Sequence, residues 1–146
     1  MGSSRSPTAR TAAIVATLLL SAGIVWWLKA EHAQRESIHV ARAFIGHVEA
    51  KQFAQAHELT TKSGYVGATA AELEEVSRRE MCRVARVVGT SPPQSNGNRL
   101  RRWALGREVE VPEVSVEFEG SCLLRVTVRR MNGSQWRVSR FARHAG

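Results

Sequence analysis

Residues 113–138 read EVSVEFEGSCLLRVTVRRMNGSQWRV, and their apolar side chains fall on alternate positions. Val114, Val116 and Phe118 share one parity. Cys122, Leu124, Val126 and Val128 share it too, and so do Trp136 and Val138. Alternation is the period of a half-buried strand, so three successive strands each turn one face to a core. Residues paired across an antiparallel ladder lie on the same face, so each connecting loop must hold an odd number of residues. Met131-Asn132-Gly133 is therefore expected as a three-residue loop with Gly133 at the left-handed position, pairing Val128 with Trp136 and Val126 with Val138. A two-residue Asn-Gly turn would set Trp136 opposite Arg129 on the wet face. The same parity sends Arg125, Arg129 and Arg137 outward around Thr127. Glu113, Ser115 and Glu117 are the outer residues of the neighbouring strand, where Glu117 reaches Arg125 diagonally.

Upstream the period changes. Ile38, Ala41, Phe44, Ile45 and Val48 recur at three- and four-residue steps, which makes one apolar stripe on a helix. Residues 52–59 repeat the pattern and stop before Ser63-Gly64. Thr69-Ala70-Ala71-Glu72 is a capping box opening a third helix, with Leu73, Val76 and Met81 on its inner face. Beyond Cys82 the chain reads as strand, apart from SPPQSNGN at 91–98, an exposed loop by composition. Two to three helices over about 33–80 followed by antiparallel strands over about 82–142 predict an α+β domain spanning residues 29–146.

Residues 12–28, AAIVATLLLSAGIVWWL, carry no charge, and Arg10 and Lys29 bracket them. At 1.5 Å per residue the run makes roughly 26 Å of helix, enough for a thin bilayer once Lys29 snorkels. Trp26 and Trp27 stand where amphipathic rings prefer the headgroup level, so Trp26, Trp27 and Lys29 mark the interfacial end of a membrane anchor. Two other readings compete. A cleaved signal peptide should end in small residues at an A-x-A-like site, whereas this core ends in Trp-Trp-Leu-Lys. A buried core helix should not be apolar on every face. Nothing breaks the chain between Ile24 and Phe44, so the anchor is expected to run directly into the next helix. Charge on the two flanks does not decide orientation. The two cysteines do, because they favour the oxidising side for the larger part. Residues 1–11 then form a short basic cytoplasmic tail, and the protein is a single-pass inner-membrane protein with an extracytoplasmic domain.

The stretches ARAFIGHVEAKQFAQAHEL (41–59) and RVTVRRMNGSQWRVSRF (125–141), in that order, resemble the NTF2-like (cystatin-like cone) superfamily. In that superfamily a helix-packed curved sheet closes on final strands of dG-x-W-x-V type. The likeness covers roughly residues 36–143 and lies in the pattern rather than in a motif. Anchored members include inner-membrane assembly factors of type IV secretion systems and Mce-associated membrane proteins. The resemblance thus implies helices packed on a curved antiparallel sheet, and a scaffold or docking protein of a bacterial envelope assembly. The cone also implies an alternative, a pocket for a small apolar ligand lined by Phe44, Val48, Trp103, Val116 and Trp136. An enzyme of the same fold is the third reading. Enzymatic members such as ketosteroid isomerase place Asp, Tyr or His in the cone. This chain departs from them, because it has no Asp and its single Tyr is Tyr65, in a Gly-flanked loop.

Composition narrows the chemistry further. All thirteen acids are Glu, which removes an aspartate base and Asp-rich calcium or magnesium loops. No two histidines stand four apart. Glu36-x-x-His39 is half of a di-iron motif without its second copy, and His47-Val48-Glu49 lacks the Pro-Cys-x-x-Cys partner of a deaminase. No catalytic residue, metal ligand or cofactor is therefore expected. Cys82 and Cys122 sit on core-facing phases and are expected to form a disulfide, the alternative being two buried thiols. A formal charge of +8 gathers from Arg78 onward, which suits nucleic acid. A tethered outer domain would rarely meet it, so membrane lipid and other envelope proteins are the expected partners. Ala13, Thr17 and Ser21, four apart, add self-association through the anchor. Arg125, Arg129 and Arg137 are the expected strip for an anion or partner.

Overall fold

The computed structural model describes residues 7–32, 34–132 and 135–144, with side chains from residue 11 onward. Its elements are α1 (Pro7–Lys29), α2 (Arg35–Glu49), α3 (Phe53–Glu58), α4 (Ala70–Glu80), β1 (Val84–Ser91), α5 (Asn96–Ala104), β2 (Glu113–Gly120), β3 (Leu123–Met131) and β4 (Gln135–His144). The class is α+β, as the order of periods predicts. The chain divides into two compact units: residues up to His32 together with Gln94–Val109, and Ala33–Pro93 together with the chain from Glu110 onward. The domain expected over residues 29–146 thus has parts in both units. The stretch carrying α5 belongs with the N-terminal helix.

In the first unit, α1 offers a 19-residue apolar span, Thr11–Lys29, none of which is buried. A helix so apolar and so exposed is not a core helix, which removes that reading. The Thr17 and Ser21 hydroxyls donate to the carbonyls of Ala13 and Thr17, at 2.9 and 2.8 Å, so the run leaves neither hydroxyl unsatisfied. The expected continuation into α2 does not occur. Beyond Lys29 the backbone turns to α5's leading edge: His32 N–H donates to Gln94 O at 2.7 Å and Asn96 N–H to Ala30 O at 3.1 Å, with a bridge between Glu31 and Ser95. These bonds take the place of the next helical turn.

The helix α5 corrects the expected loop at 91–98. Ser95 caps it, its hydroxyl accepting from Asn98 N–H at 3.2 Å. Asn96 Nδ2 donates to Trp27 O at 3.1 Å. Gly97 lies against α1 so closely that a Cβ there would come 3.0 Å from Leu28 O. Capping and docking together stabilise a helix that its Asn- and Gly-rich start disfavours.

In the second unit the four strands form an antiparallel meander, β1-β2-β3-β4. Val114 pairs with Val128, Val116 with Val126 and Phe118 with Leu124, and all six are buried. The β3–β4 loop does hold three residues, 132–134, but sits one residue later than expected. Met131 pairs with Gln135, Arg130 with Trp136 and Val128 with Val138. Gly133, expected in the left-handed conformation, lies outside the described residues. A bulge then follows. Thr127 pairs with Arg140 and Val126 with Phe141, so Ser139 is the extra residue. The bulge reverses parity, which is why Trp136, Val138 and then Phe141 are the buried side chains of β4.

The helices cover one sheet face. Ser37, Ala41, Phe44, Ile45 and Val48 are the buried residues of α2, and Leu73 and Ser77 those of α4. Phe44 meets Phe141 with ring centroids 5.2 Å apart. At the start of α4, Thr69 Oγ1 accepts from Glu72 N–H at 3.2 Å, while the Glu72 carboxylate accepts from Ala68 N–H at 2.8 Å, one residue ahead of the cap. At the other end of α4, Arg78 is held above its ordinary pKa by its hydrogen bond to Glu74, with Glu75 adding to it. Beyond α3, Leu59 and Thr61 exchange backbone bonds with Val138, covering the β4 edge. Cys82 and Cys122 form a disulfide, 40 residues apart in sequence, that ties the chain ahead of β1 to the β2–β3 turn.

Candidate functional site: the sheet face away from the helices

The outer face of the meander is a ladder of polar cross-strand pairs. Glu117 stands directly opposite Arg125, not diagonal to it, and Glu113 directly opposite Arg129. The closest contacts are 2.6 Å for Arg125–Glu117 and 2.8 Å for Arg129–Glu113. Between them Ser115 and Thr127 share a hydroxyl bond at 3.1 Å, and Ser139 donates to Thr127 O at 3.3 Å. Arg129 faces Arg137 across the last pair of strands. Arg137 turns away from it, donating to the Glu58 carbonyl and, at 3.2 Å, to Gln135 Oε1. The expected strip of three arginines is thus present on one surface, with each guanidinium already engaged. Exposed pairs of this kind contribute roughly 0.2–1 kcal/mol each, so they order the face more than they stabilise the fold.

The ladder ends in a groove of about 370 Å³, lined by residues of the α3–α4 loop and of β2, β3 and β4. Thr61, Ser63 and Tyr65 form one wall; Glu113, Arg129 and Arg140 bring the charges. The Arg140 guanidinium sits 4.3 Å from the Tyr65 ring centroid, a cation–π contact that holds both side chains in place. Among the described residues no carboxylate pairs with Arg140. This pair is not among the residues expected from the sequence. Its signal was the odd step from Val138 to Phe141, which announces a bulge and turns Arg140 outward.

The five residues expected to line a ligand pocket do not come together. Phe44, Val48, Val116 and Trp136 belong to one continuous hydrophobic cluster with Leu73, Leu124 and Phe141, so they are packing residues. Trp103 is corrected outright: it stands on α5, in the other unit, and is 67% exposed. Trp26 and Trp27 are exposed near the end of α1, and Lys29 is its last residue. Among the described residues, no group of three or more His, Cys, Asp or Glu side chains is placed to hold a metal ion. His57 is buried, with Nε2 3.3 Å from Gly67 O, a tie between α3 and the loop before α4.

No protein-family model, curated protein or solved structure gives a significant match to the chain.

Proposed function

We propose that the protein is a single-pass, membrane-anchored docking protein whose sheet domain receives a segment of another envelope protein in the groove beside Tyr65 and Arg140. The observation that carries this reading is the asymmetry of the sheet. One face is covered by α2 and α4, while the other holds an ordered polar ladder and a groove whose Arg140 has no carboxylate partner among the described residues. A guanidinium stacked on an aromatic ring can donate two parallel hydrogen bonds to a carboxylate, so an acidic extended segment fits the groove. The anchor is α1, uncleaved, with the short tail in the cytoplasm and the disulfide-bonded unit on the oxidising side. The helix-covered, bulged antiparallel meander also supports an NTF2-like assignment for the sheet domain.

The test is photo-crosslinking in intact membranes of the source cell. A crosslinking amino acid at Tyr65 should capture an envelope protein, and the adduct should be lost when Arg129→Gln and Arg140→Gln are added together. The same amino acid at Glu75, exposed on α4, should capture none. Equal capture from both positions, or capture at Tyr65 unaffected by the arginine changes, sinks the reading.

A further inference from the structure

The helix α5 is a strange object for the outside of a water-soluble domain. In the stretch Gln94–Val109 it exposes three large apolar side chains, Leu100 at 47%, Trp103 at 67% and Leu105 at 58%. Leu100 and Trp103 are three apart and so share a face. The same stretch carries Arg99, Arg101, Arg102 and Arg107 against the single acid Glu108. Arg102 is committed, its Nε donating to Glu108 O at 2.6 Å, whereas Arg101 and Arg107 are exposed.

Its position along α1 is fixed by hydrogen bonds. Asn96 is bound to the carbonyl of Trp27 and, through its backbone, to that of Ala30. The start of α5 therefore sits within a turn of Trp27 and Lys29, the residues that mark the headgroup level if α1 spans a bilayer. A short helix held at that depth, with an apolar face exposed and arginines beside it, has the composition of an interfacial helix.

We infer that α5 lies in the headgroup layer of the same bilayer that α1 crosses, with Leu100, Trp103 and Leu105 in the acyl boundary and Arg101 and Arg107 on anionic lipid phosphates. The inference rests on the reading of α1 as an uncleaved anchor. It gives the exposed aromatic an occupant. Continuity with the span decides for lipid over a soluble partner, because the lipid is already there at the depth where α5 is docked. Guanidinium groups suit phosphate oxygens, and basic residues near an anionic surface strengthen its hold on the helix.

The full chain would be reconstituted in vesicles of phosphatidylcholine and phosphatidylglycerol whose acyl chains are brominated near the headgroup. Trp26→Phe/Trp27→Phe leaves Trp103 as reporter, and Trp103→Phe leaves the anchor pair. The variant with all three changes supplies the Trp136 background for subtraction. Trp103 should lose most of its emission, as the anchor pair does, and lose less when phosphatidylcholine replaces phosphatidylglycerol. An unquenched Trp103 beside a quenched anchor pair overturns the inference and leaves the anchor standing. If neither is quenched, the anchor reading itself fails and takes the inference with it. Quenching that appears only on diluting the protein into more lipid assigns the face to a second copy, which also overturns it. Equal quenching in both lipids removes the arginine–phosphate half of the inference.

Discussion

Gly120 closes β2 where it faces Val84, and a Cβ there would stand 2.0 Å from the Arg83 carbonyl and 2.7 Å from Val84 Cα. No side chain can give way in that direction, because both obstacles are backbone. Gly120→Ala should therefore push β1 from the sheet and destabilise by roughly 1–3 kcal/mol, the range for overpacking. Gly46 is the counterpart. It lies inside α2, and a Cβ added there would meet nothing within 4 Å, so Gly46→Ala should stabilise by about 0.5–1 kcal/mol through helix propensity. Chemical denaturation of the two variants checks the pair. Equal stability of both would mean that β1 is free to shift away from Gly120.

At the scale of the element, α4 depends on its start. The Thr69 hydroxyl takes the Glu72 N–H that the helix leaves without a partner, and the Glu72 carboxylate takes the N–H of Ala68 just ahead of the cap. Thr69→Ala should cost about 1 kcal/mol, read by thermal or chemical unfolding, while Glu74→Ala should stay within about 0.5 kcal/mol, because Glu74 serves only an exposed pair with Arg78. The capping box was legible because it is four residues of local chemistry. The helix α5 was not, since Ser91-Pro92-Pro93-Gln94-Ser95-Asn96-Gly97-Asn98 has the composition of a loop, and its bonds go to residues about seventy positions earlier. Ser95 as a cap ahead of Leu100 and Trp103 was the available signal, and local propensity outweighed it. The β3–β4 hairpin falls between these cases. Parity correctly required an odd loop, yet parity repeats every two residues and cannot tell a register from one shifted by a whole pleat.

At the scale of the molecule, the disulfide closes 40 residues that include α5 and all of β1 and β2. In the chain-entropy model a loop of that size stabilises by about 4 kcal/mol. A Cys82→Ser/Cys122→Ser variant should melt well below the native chain, and reduction should change the migration of the denatured native chain on a gel. Two freely alkylated thiols in protein purified under oxidising conditions would contradict the bridge.

The amino-acid sequence by itself determined the apolar helix, the α+β class, the stripe of α2, the buried faces of β2 and β3, and the pairing of Cys82 with Cys122. Each rests on a short-range period or on the chemistry of a single residue type, and burial in water enforces both. Only the tertiary structure decided the register of β4, the bulge at Ser139 that turns Arg140 toward Tyr65, the break after Lys29 and the helical state of residues 96–104. Those four depend on hydrogen bonds between segments distant in sequence, where several local arrangements differ by little and the docking partner selects one.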